Sequence, residues 1–557
     1  MEKKSWVLIA FFLLFILQPS YSQAQKIERT LSLNWTDNII HHHGEDFSME
    51  FLHFDGASYS REFSTLPSYY EAVEMPSYYD SYDVAVSNVQ FESMSTHDAS
   101  LVPADFHQKE LKVEAVSAFE RNKPYLVLSF IPVVEVGVGE YRRIVAVTIT
   151  VEGRGPGARK SGRTYAAQSV LNSGQWYRFT VSETGVYKVT YEDLTAMGMS
   201  TPIASASLAL FGNGGEMLPE ANATPRIDDL QELPISIVDG GDGIMNPGDY
   251  FLFYGHAPHT WTYDTNRRRF CHKTNIYSDA TTYFVTNTPG VGAKKRIPTA
   301  DNSSLSANHT VNDYVHYDFF EKDQFNFGET GKDWYGDLFD ITTQRTYTFS
   351  VPGSLQQPSR ISIAGACCSS SFSYFSIKAN NTALGNLSFP NISGNIIATL
   401  NSDDYTFTPS SGTLDIALEY SKPATSSAAY LDWIEIEVPC RLSMHSSQFP
   451  FCNPATVGTG NVTRFNITGA SAGTVVWDVT DPANTTRMAL SSEGGVYGFS
   501  IPTDTLRYFF AFDGSTFLSI TLGGAVANQN LHGTDNADLL IVTHPKFLSQ
   551  ANDLAKF

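Results

Sequence analysis

A mostly β chain of several β-rich domains, one of them a β-sandwich, followed by the first strand–helix unit of an incomplete α/β domain, is the fold class that three features of this sequence predict. The 40 Gly and 26 Pro sit among Thr, Ser, Val, Tyr and Phe rather than among strong helix formers, which favours many short strands joined by turns. Apolar residues alternate with polar ones over several stretches, the period of a strand with one buried face. At 557 residues the chain has room for about three or four domains of roughly 150 residues each.

Composition narrows the function classes. Hydrophobic residues make up 42% and charged ones only 17%, enough core material to exclude wholesale disorder. A net charge of −21 repels polyphosphate, so no nucleic-acid partner is expected. The five cysteines are an odd and sparse set, not a disulfide scaffold. Cys440 and Cys452 flank a segment short enough to close as a small loop, whereas the vicinal Cys367 and Cys368 point to opposite faces of a strand. None of the five stands in a recognisable nucleophile context, because a reactive thiol needs an electropositive neighbourhood and a nearby base.

Taken in order, residues 1–24 read as a secretory signal peptide: Lys3 and Lys4, an apolar run from Trp6 to Leu17, then Ser22, Gln23 and Ala24 ahead of the cut. About twelve apolar residues span roughly 18 Å of helix against a hydrocarbon core of about 30 Å, which argues against a membrane anchor. Residues 25–152 form a β-rich, pro-segment-like N-terminal domain, closed by a strand pair of Tyr125–Val134 with the alternating Ile144–Glu152. The Gly-, Pro- and Arg-rich stretch that opens 153–172 is a linker and a site for proteolytic nicking. A second β-rich domain, 173–300, opens with strands at Trp176–Val181 and Val186–Thr190 and a short helix from Tyr191 stopped by Gly198. In 301–445 the alternation of Leu414, Ile416, Leu418 and Tyr420, and of Ile434, Ile436 and Val438, is that of a β-sandwich. Residues 446–534 read as a β-rich connecting segment. In 535–557 the apolar run Ala537–Val542 predicts a strand buried on both faces, and Pro545, Phe547, Leu548, Ala551 and Leu554 predict the helix after it, capped by Thr543 and His544. A parallel strand needs a neighbour, and no earlier βα unit supplies one, so the sequence is read as ending inside an α/β domain.

Few residues carry chemistry. Asp239, Asp242 and Asp249 lie in a Gly-rich loop between two apolar strands, a composition that suits a structural calcium ion or, equally, a solvated hairpin loop; no other cofactor is called for. His41, His42 and His43 cannot all face one metal from a strand, and a surface loop is the expectation. Arg267, Arg268 and Arg269, with Lys294, Lys295 and Arg296, are dense basic runs that could meet an anionic polymer, though solvated turns explain them as well. His544 sits where α/β active sites gather but reads as the entry to a helix. No Gly-x-Ser-x-Gly, P-loop or zinc-ligand spacing occurs.

A family likeness emerges from specific segments. NQNLH followed by ADLLIVTHPKFL resembles the entry into a gingipain-type cysteine peptidase domain. Upstream, SGQWYRFTVSETGVYKVTYEDL, LALFGNGGEMLPE, DGGDGIMNPGDYFLFYG and VVWDVTDP resemble, in the same order, the non-catalytic region of PorU-type sortases of the type IX secretion system. The likeness runs from about residue 120 to 557 and is loose before that. It implies an exported protein on the outer-membrane surface or in the extracellular space. Such a protein removes C-terminal signals from secreted cargo and joins the cargo to a lipopolysaccharide anchor, beside other outer-membrane secretion proteins. It also implies a Cys–His dyad working through a thioester, carried beyond Phe557, so no catalytic residue is assigned in this sequence. A secreted gingipain-like endopeptidase with a pro-segment, and a non-enzymatic β-sandwich adhesin, are the competing readings.

Overall fold

The computed structural model describes residues 26–556, apart from 44–46, 60–64, 104–105, 121–122, 138, 157–164, 222–223, 266, 303, 330–331, 394–395, 411, 536 and 538. The expected signal peptide, and most of the basic part of the linker, lie outside the described residues. The chain divides into two compact units at Thr164/Tyr165. The mostly β class is borne out throughout.

In the first unit, Lys26–Ser32, Glu140–Pro156 and Tyr79–Ser93 form one antiparallel sheet, with Val133–Gly137 on the same long strand. Ser58–Tyr59, Pro67–Glu74, Lys123–Phe130 and Glu114–Glu120 form a second. The expected pairing of one strand Tyr125–Val134 with Ile144–Glu152 is corrected here. The apolar run splits at Ile131 and Pro132 into strands of two different sheets, because proline has no N–H to give to a ladder. Two bulges, between Ile144 and Ala146 and between Ala146 and Thr148, reset the alternation, so that Ile144 and then Val147, Ile149 and Val151 all face the core.

The second unit opens with two sheets packed face to face. One runs Gln231–Leu233, Ala209–Gly212, Thr281–Thr286, Trp176–Val181, Thr521–Val526; the other runs Ser236–Val238, Tyr250–Gly255, Gly185–Thr190, Leu518–Ser519. Their core is aromatic, with Phe179, Tyr187, Phe251, Phe253 and Tyr283 all buried. The strands at 518–526 thus return, from more than 200 residues downstream, to the sheets that 176–286 begin. The expected helix forms at Tyr191–Ala196 with a full capping box: Thr190 Oγ1 accepts from Asp193 N–H (3.1 Å), and Asp193 Oδ2 accepts from Thr190 N–H (2.9 Å). Thr190→Ala is expected to cost about 1 kcal/mol, read as a shift in the urea midpoint with unchanged slope.

The expected sandwich is present. Asp313–Glu321, Ala428–Arg441, Ser359–Cys368 and Thr399–Phe407 face the sheet of Gln344–Ser350, Thr413–Tyr420, Ser373–Ala379 and Thr382–Phe389. Leu414, Ile416, Leu418, Ile434, Ile436 and Val438 all point inward and are fully buried, as the alternation predicts. Residues 446–512 build a further pair of sheets with short strands at 299–300 and 309–311. Trp477, Phe510 and Phe512 of this layer pack on Leu252 and Tyr254, so the strand Tyr250–Gly255 is buried on both faces.

At the C-terminal end the helical half of the expected strand–helix unit forms, Leu548–Leu554. The strand half does not: Leu539–Val542 have no ladder partner, and Leu540 and Val542 are 83% and 90% exposed. A strand buried on both faces requires neighbours on both sides, and none lies beside this segment among the described residues.

Candidate functional site

Within the second unit the strongest concentration of buried charge lies where a hairpin crosses the sandwich. Thr260–Asp264 pairs with Arg269–Lys273, and strand alternation sends Phe270 and His272 to one side of it. Phe270 is fully buried against Trp261, Tyr263 and Tyr317, at centroid distances of 5.4, 5.0 and 5.4 Å. Carboxylates of the sandwich strand Ala428–Arg441 then take the part that a neighbouring strand's carbonyls would take. Glu437 Oε1 accepts from Phe270 N–H (3.1 Å) and Glu435 Oε1 from His272 N–H (2.9 Å).

The His272 ring is gripped on both sides. Nδ1 donates to Glu435 Oε1 at 2.6 Å and Nε2 to Glu321 Oε2 at 2.8 Å, while the Tyr317 hydroxyl donates to Glu435 Oε1 at 2.8 Å. The ring stacks on Phe319 at 4.5 Å and meets Trp433 edge-on at 5.7 Å. Burial works against the charge on His272, but the hydrogen bonds and charges of Glu321 and Glu435 overcome it and raise the imidazolium to about 9. Burial likewise opposes ionisation of Glu435, yet the donors from His272 and Tyr317 hold it below the usual carboxylate range. At neutral pH His272 is an imidazolium clasped between the carboxyl groups of Glu321 and Glu435, joining hairpin to sandwich.

A cleft of about 820 Å³ opens beside the clasp, walled by the hairpin, by residues 217–220 and 274–277, and by Asp323, Trp334, Tyr335, Asp432 and Trp433 of the sandwich. That volume lies in the range of small-ligand sites. A second cavity of about 500 Å³ is more apolar and is lined by Met217, Leu218, Tyr254, Trp261 and Tyr508. Its His256 is pushed down to about 4 by burial and is a neutral imidazole.

The residues singled out from sequence fare differently. Asp239 Oδ1 accepts from Gly241 N–H (3.1 Å), Asp242 Oδ1 from Ile244 N–H (2.9 Å) and Asp249 Oδ2 from Asn246 N–H (2.7 Å). Each carboxylate closes its own turn, in a loop whose Gly240, Gly241, Gly243 and Gly248 all have positive φ. Among the described residues, no three His, Cys, Asp or Glu side chains are grouped to hold one metal ion. His41–His43 lie in a strand paired with Phe47–Phe51. Part of the basic runs fastens the fold internally: Arg269 pairs with Asp404 at 3.1 Å, Arg296 donates to the carbonyls of Ser205 and Leu208, and Lys295 to that of Ala483, whereas Arg267 and Arg268 are exposed. His544 Nδ1 accepts from Lys546 N–H (3.2 Å) and caps the turn at Pro545.

All five cysteines are free thiols, so the small loop that Cys440 and Cys452 could close is not closed by a disulfide. The two are drawn into separate cores: Cys440 into the sandwich interior, Cys452 against Phe270 and Tyr317 under the hairpin. Burial pushes the Cys368 thiol up to about 11 and Cys440 to about 12, and Cys452 rises further. These three stay protonated at neutral pH and are poor nucleophiles. The clasp itself escapes a sequence reading, because Glu435 occupies the polar phase of an alternating strand and its partners Tyr317 and His272 lie 118 and 163 residues away along the chain. The one signal is the exposed-phase acid pair Glu435 and Glu437 opposite the hairpin's Phe270 and His272.

No family model and no curated protein matches the sequence. Among solved structures, the crystal structure of dimeric latent PorU from Porphyromonas gingivalis is similar over 70% of this chain, at 24% identity and a TM-score of 0.61. This chain covers 36% of that PorU chain. The fold is PorU-like. Two shorter likenesses each cover 22% of the chain. One is to a carbohydrate-binding module, CBM36, in complex with calcium and xylotriose (17% identity, TM-score 0.17, 98% of that chain). The other is to the CBM36-1 domain of a multidomain xylanase from the hindgut metagenome of Trinervitermes trinervoides (12% identity, TM-score 0.16, 96% of that chain). No helix among the described residues is long and apolar enough to cross a membrane.

Proposed function

We propose that this chain is the non-catalytic, N-terminal portion of a surface cysteine peptidase of the type IX sortase kind, whose whole form trims C-terminal signals from exported cargo and transfers the cargo to a lipopolysaccharide anchor. The observation that carries the reading is the PorU-like fold, extending over 70% of the chain. The ordered run of sortase-like segments from about residue 120 onward supports it. In this reading the chain is exported through residues 1–24, resides at the outer-membrane surface, and contributes partner-binding layers rather than chemistry. The reactive Cys and its His fall outside these 557 residues, in the α/β domain that 535–557 begins. The high-lying thiols of Cys368, Cys440 and Cys452 agree with that division of labour.

Two measurements test it. Reading the gene past codon 557 should reveal an α/β domain with a Cys and a His; a stop codon there would leave the adhesin reading in its place. The 557-residue chain, incubated with a peptide carrying a C-terminal secretion signal and an amine acceptor, is expected to give neither hydrolysis nor transfer. Turnover that scales with the chain and survives removal of contaminating proteases would overturn the assignment.

A further inference from the structure

Four rings close the joint between the sandwich and the layer that follows it. Tyr314, fully buried on the sandwich strand Asp313–Glu321, lies parallel to His445 at 6.4 Å, edge-on to His316 of its own strand at 6.3 Å, and against Phe449 at 5.9 Å. His445 belongs to the connection 442–447, which leads from the sandwich strand Ala428–Arg441 to Gln448–Phe451 of the next layer, and it packs on Phe449 at 4.3 Å. Backbone bonds fasten this connection to both layers: Leu442 N–H donates to Asn312 O (2.8 Å) and Met444 N–H to Thr468 O (2.9 Å).

The cluster has no place for a positive charge. His316 Nε2 and the Tyr314 hydroxyl are both buried without a hydrogen-bond partner among the described residues. His445 Nδ1 donates to Ser443 O (2.9 Å), and neither histidine has an ion pair among the described residues. The titratable groups facing His316 are Tyr314 and Asp318 on the same strand face, Cys440 on the neighbouring strand, and His445 across the joint. Asp313 and Arg441, a registered pair of these two strands, turn to the opposite face. Burial pushes Cys440 up to about 12, Tyr314 further still, and raises Asp318. His272, by contrast, is held as a cation by two carboxyl groups at 2.6 and 2.8 Å. Burial, reinforced by His445 and opposed by the Ser350 carbonyl, pushes His316 down to about 4, and burial lowers His445 as well.

We propose that this joint is an acid-sensitive latch: protonation of His316 and His445 lifts the connection 442–447 off the sandwich and loosens the following layer, whereas the neutral rings keep the joint shut. A second imidazole and an apolar wall meet any proton that enters the closed joint, while water meets it in the open one. The open joint takes up a proton on His316 at the ordinary value of 6.5 and the closed joint only at about 4. The closed state therefore keeps its full advantage above about pH 6.5 and loses it as the pH falls toward 4. Between pH 7.5 and 5.0 this one site raises the open population about 30-fold. The proposal does not rest on the sortase reading and stands or falls apart from it.

The test is thermolysin nicking of the full chain at pH 7.5 and 5.0, normalised to an unstructured reference peptide at each pH and mapped by mass spectrometry. Cutting at Leu442, Met444 or Phe449 is expected to be at least about tenfold faster at pH 5.0. His316→Met combined with His445→Asn removes both proton sites and should bring the ratio below about threefold. The asparagine amide keeps a donor for Ser443 O, and methionine fills the place of a ring nitrogen that has no partner, so this variant should melt close to the parent at pH 7.5. If it does not fold, His445→Asn alone carries the test and should bring the ratio to about half or less. His256→Asn, at a buried histidine elsewhere in the unit, should leave the ratio unchanged. Equal cutting of the parent at both pH values, acceleration that survives the replacements, acceleration lost in His256→Asn, or cuts spread evenly over the second unit would each overturn the proposal.

Discussion

His272→Ala is expected to destabilise the second unit by about 3–5 kcal/mol, the range for removing one partner of a buried charge cluster. The change would leave Glu321 and Glu435 facing one another without a cation, and Glu435 is only 4% exposed. It would also take away the ring that stacks on Phe319, loosening the hairpin from the sandwich. By contrast, replacing His272, Glu321 and Glu435 together with apolar residues of similar volume is expected to cost little, because the desolvation penalty disappears along with the pairing. The pH dependence follows from the direction of the shift. His272 is raised from 6.5 to about 9 in the folded chain, so its contribution is complete below about pH 6.5 and is lost as pH rises through about 9. Urea unfolding at pH 6.5, 8 and 9.5 should show the gap between parent and His272→Ala narrowing with pH. A gap that stays constant would mean that His272 acts by packing alone.

This clasp illustrates what the sequence shows and what it conceals. Where stability comes from a face of a single strand, the pattern is sufficient: Leu414, Ile416 and Leu418, or Ile434, Ile436 and Val438, announce their burial by alternation. The short helix at Tyr191–Ala196 is equally legible, because its cap lies within three residues of its start. Glu435 has the same local signature as any solvent-facing acid, and only the hairpin laid over it from 163 residues away makes it a buried ion. The strands at 518–526 are weak by composition, with Gly523 and Gly524 inside one of them, and acquire their identity from pairing with Trp176–Val181 and Gly185–Thr190. Leu539–Val542 show the reverse: their apolar pattern is that of a central strand, but no strand lies beside them among the described residues and no ladder forms. In the acidic loop, composition points to calcium and to a turn alike. The geometry uses Asp239, Asp242 and Asp249 for turns, since each carboxylate is directed at a backbone N–H of its own loop.

Phe253→Ala is the second change with a large expected effect, about 3–5 kcal/mol, from lost transfer energy and the cavity left behind. The ring is fully buried and touches Phe179 (5.6 Å), Tyr187 (5.6 Å), Phe251 (6.3 Å) and Tyr283 (5.1 Å), an aromatic cluster that cannot collapse without moving two sheets. Phe253→Leu keeps most of the volume and should cost only about 1–1.5 kcal/mol. The more telling readout is where the loss is felt. Residues 251 and 253 face the aromatic core, while Leu252 and Tyr254 on the same strand face Trp477, Phe510 and Phe512 of the next layer. A strand buried on both faces ties the two layers into one cooperative block, so denaturation followed at Trp176 and at Trp477 should shift to the same lower midpoint. If only the Trp176 transition moved, the layers would be folding independently, and the return of residues 518–526 to the first sheets would be a late docking event rather than part of a single core.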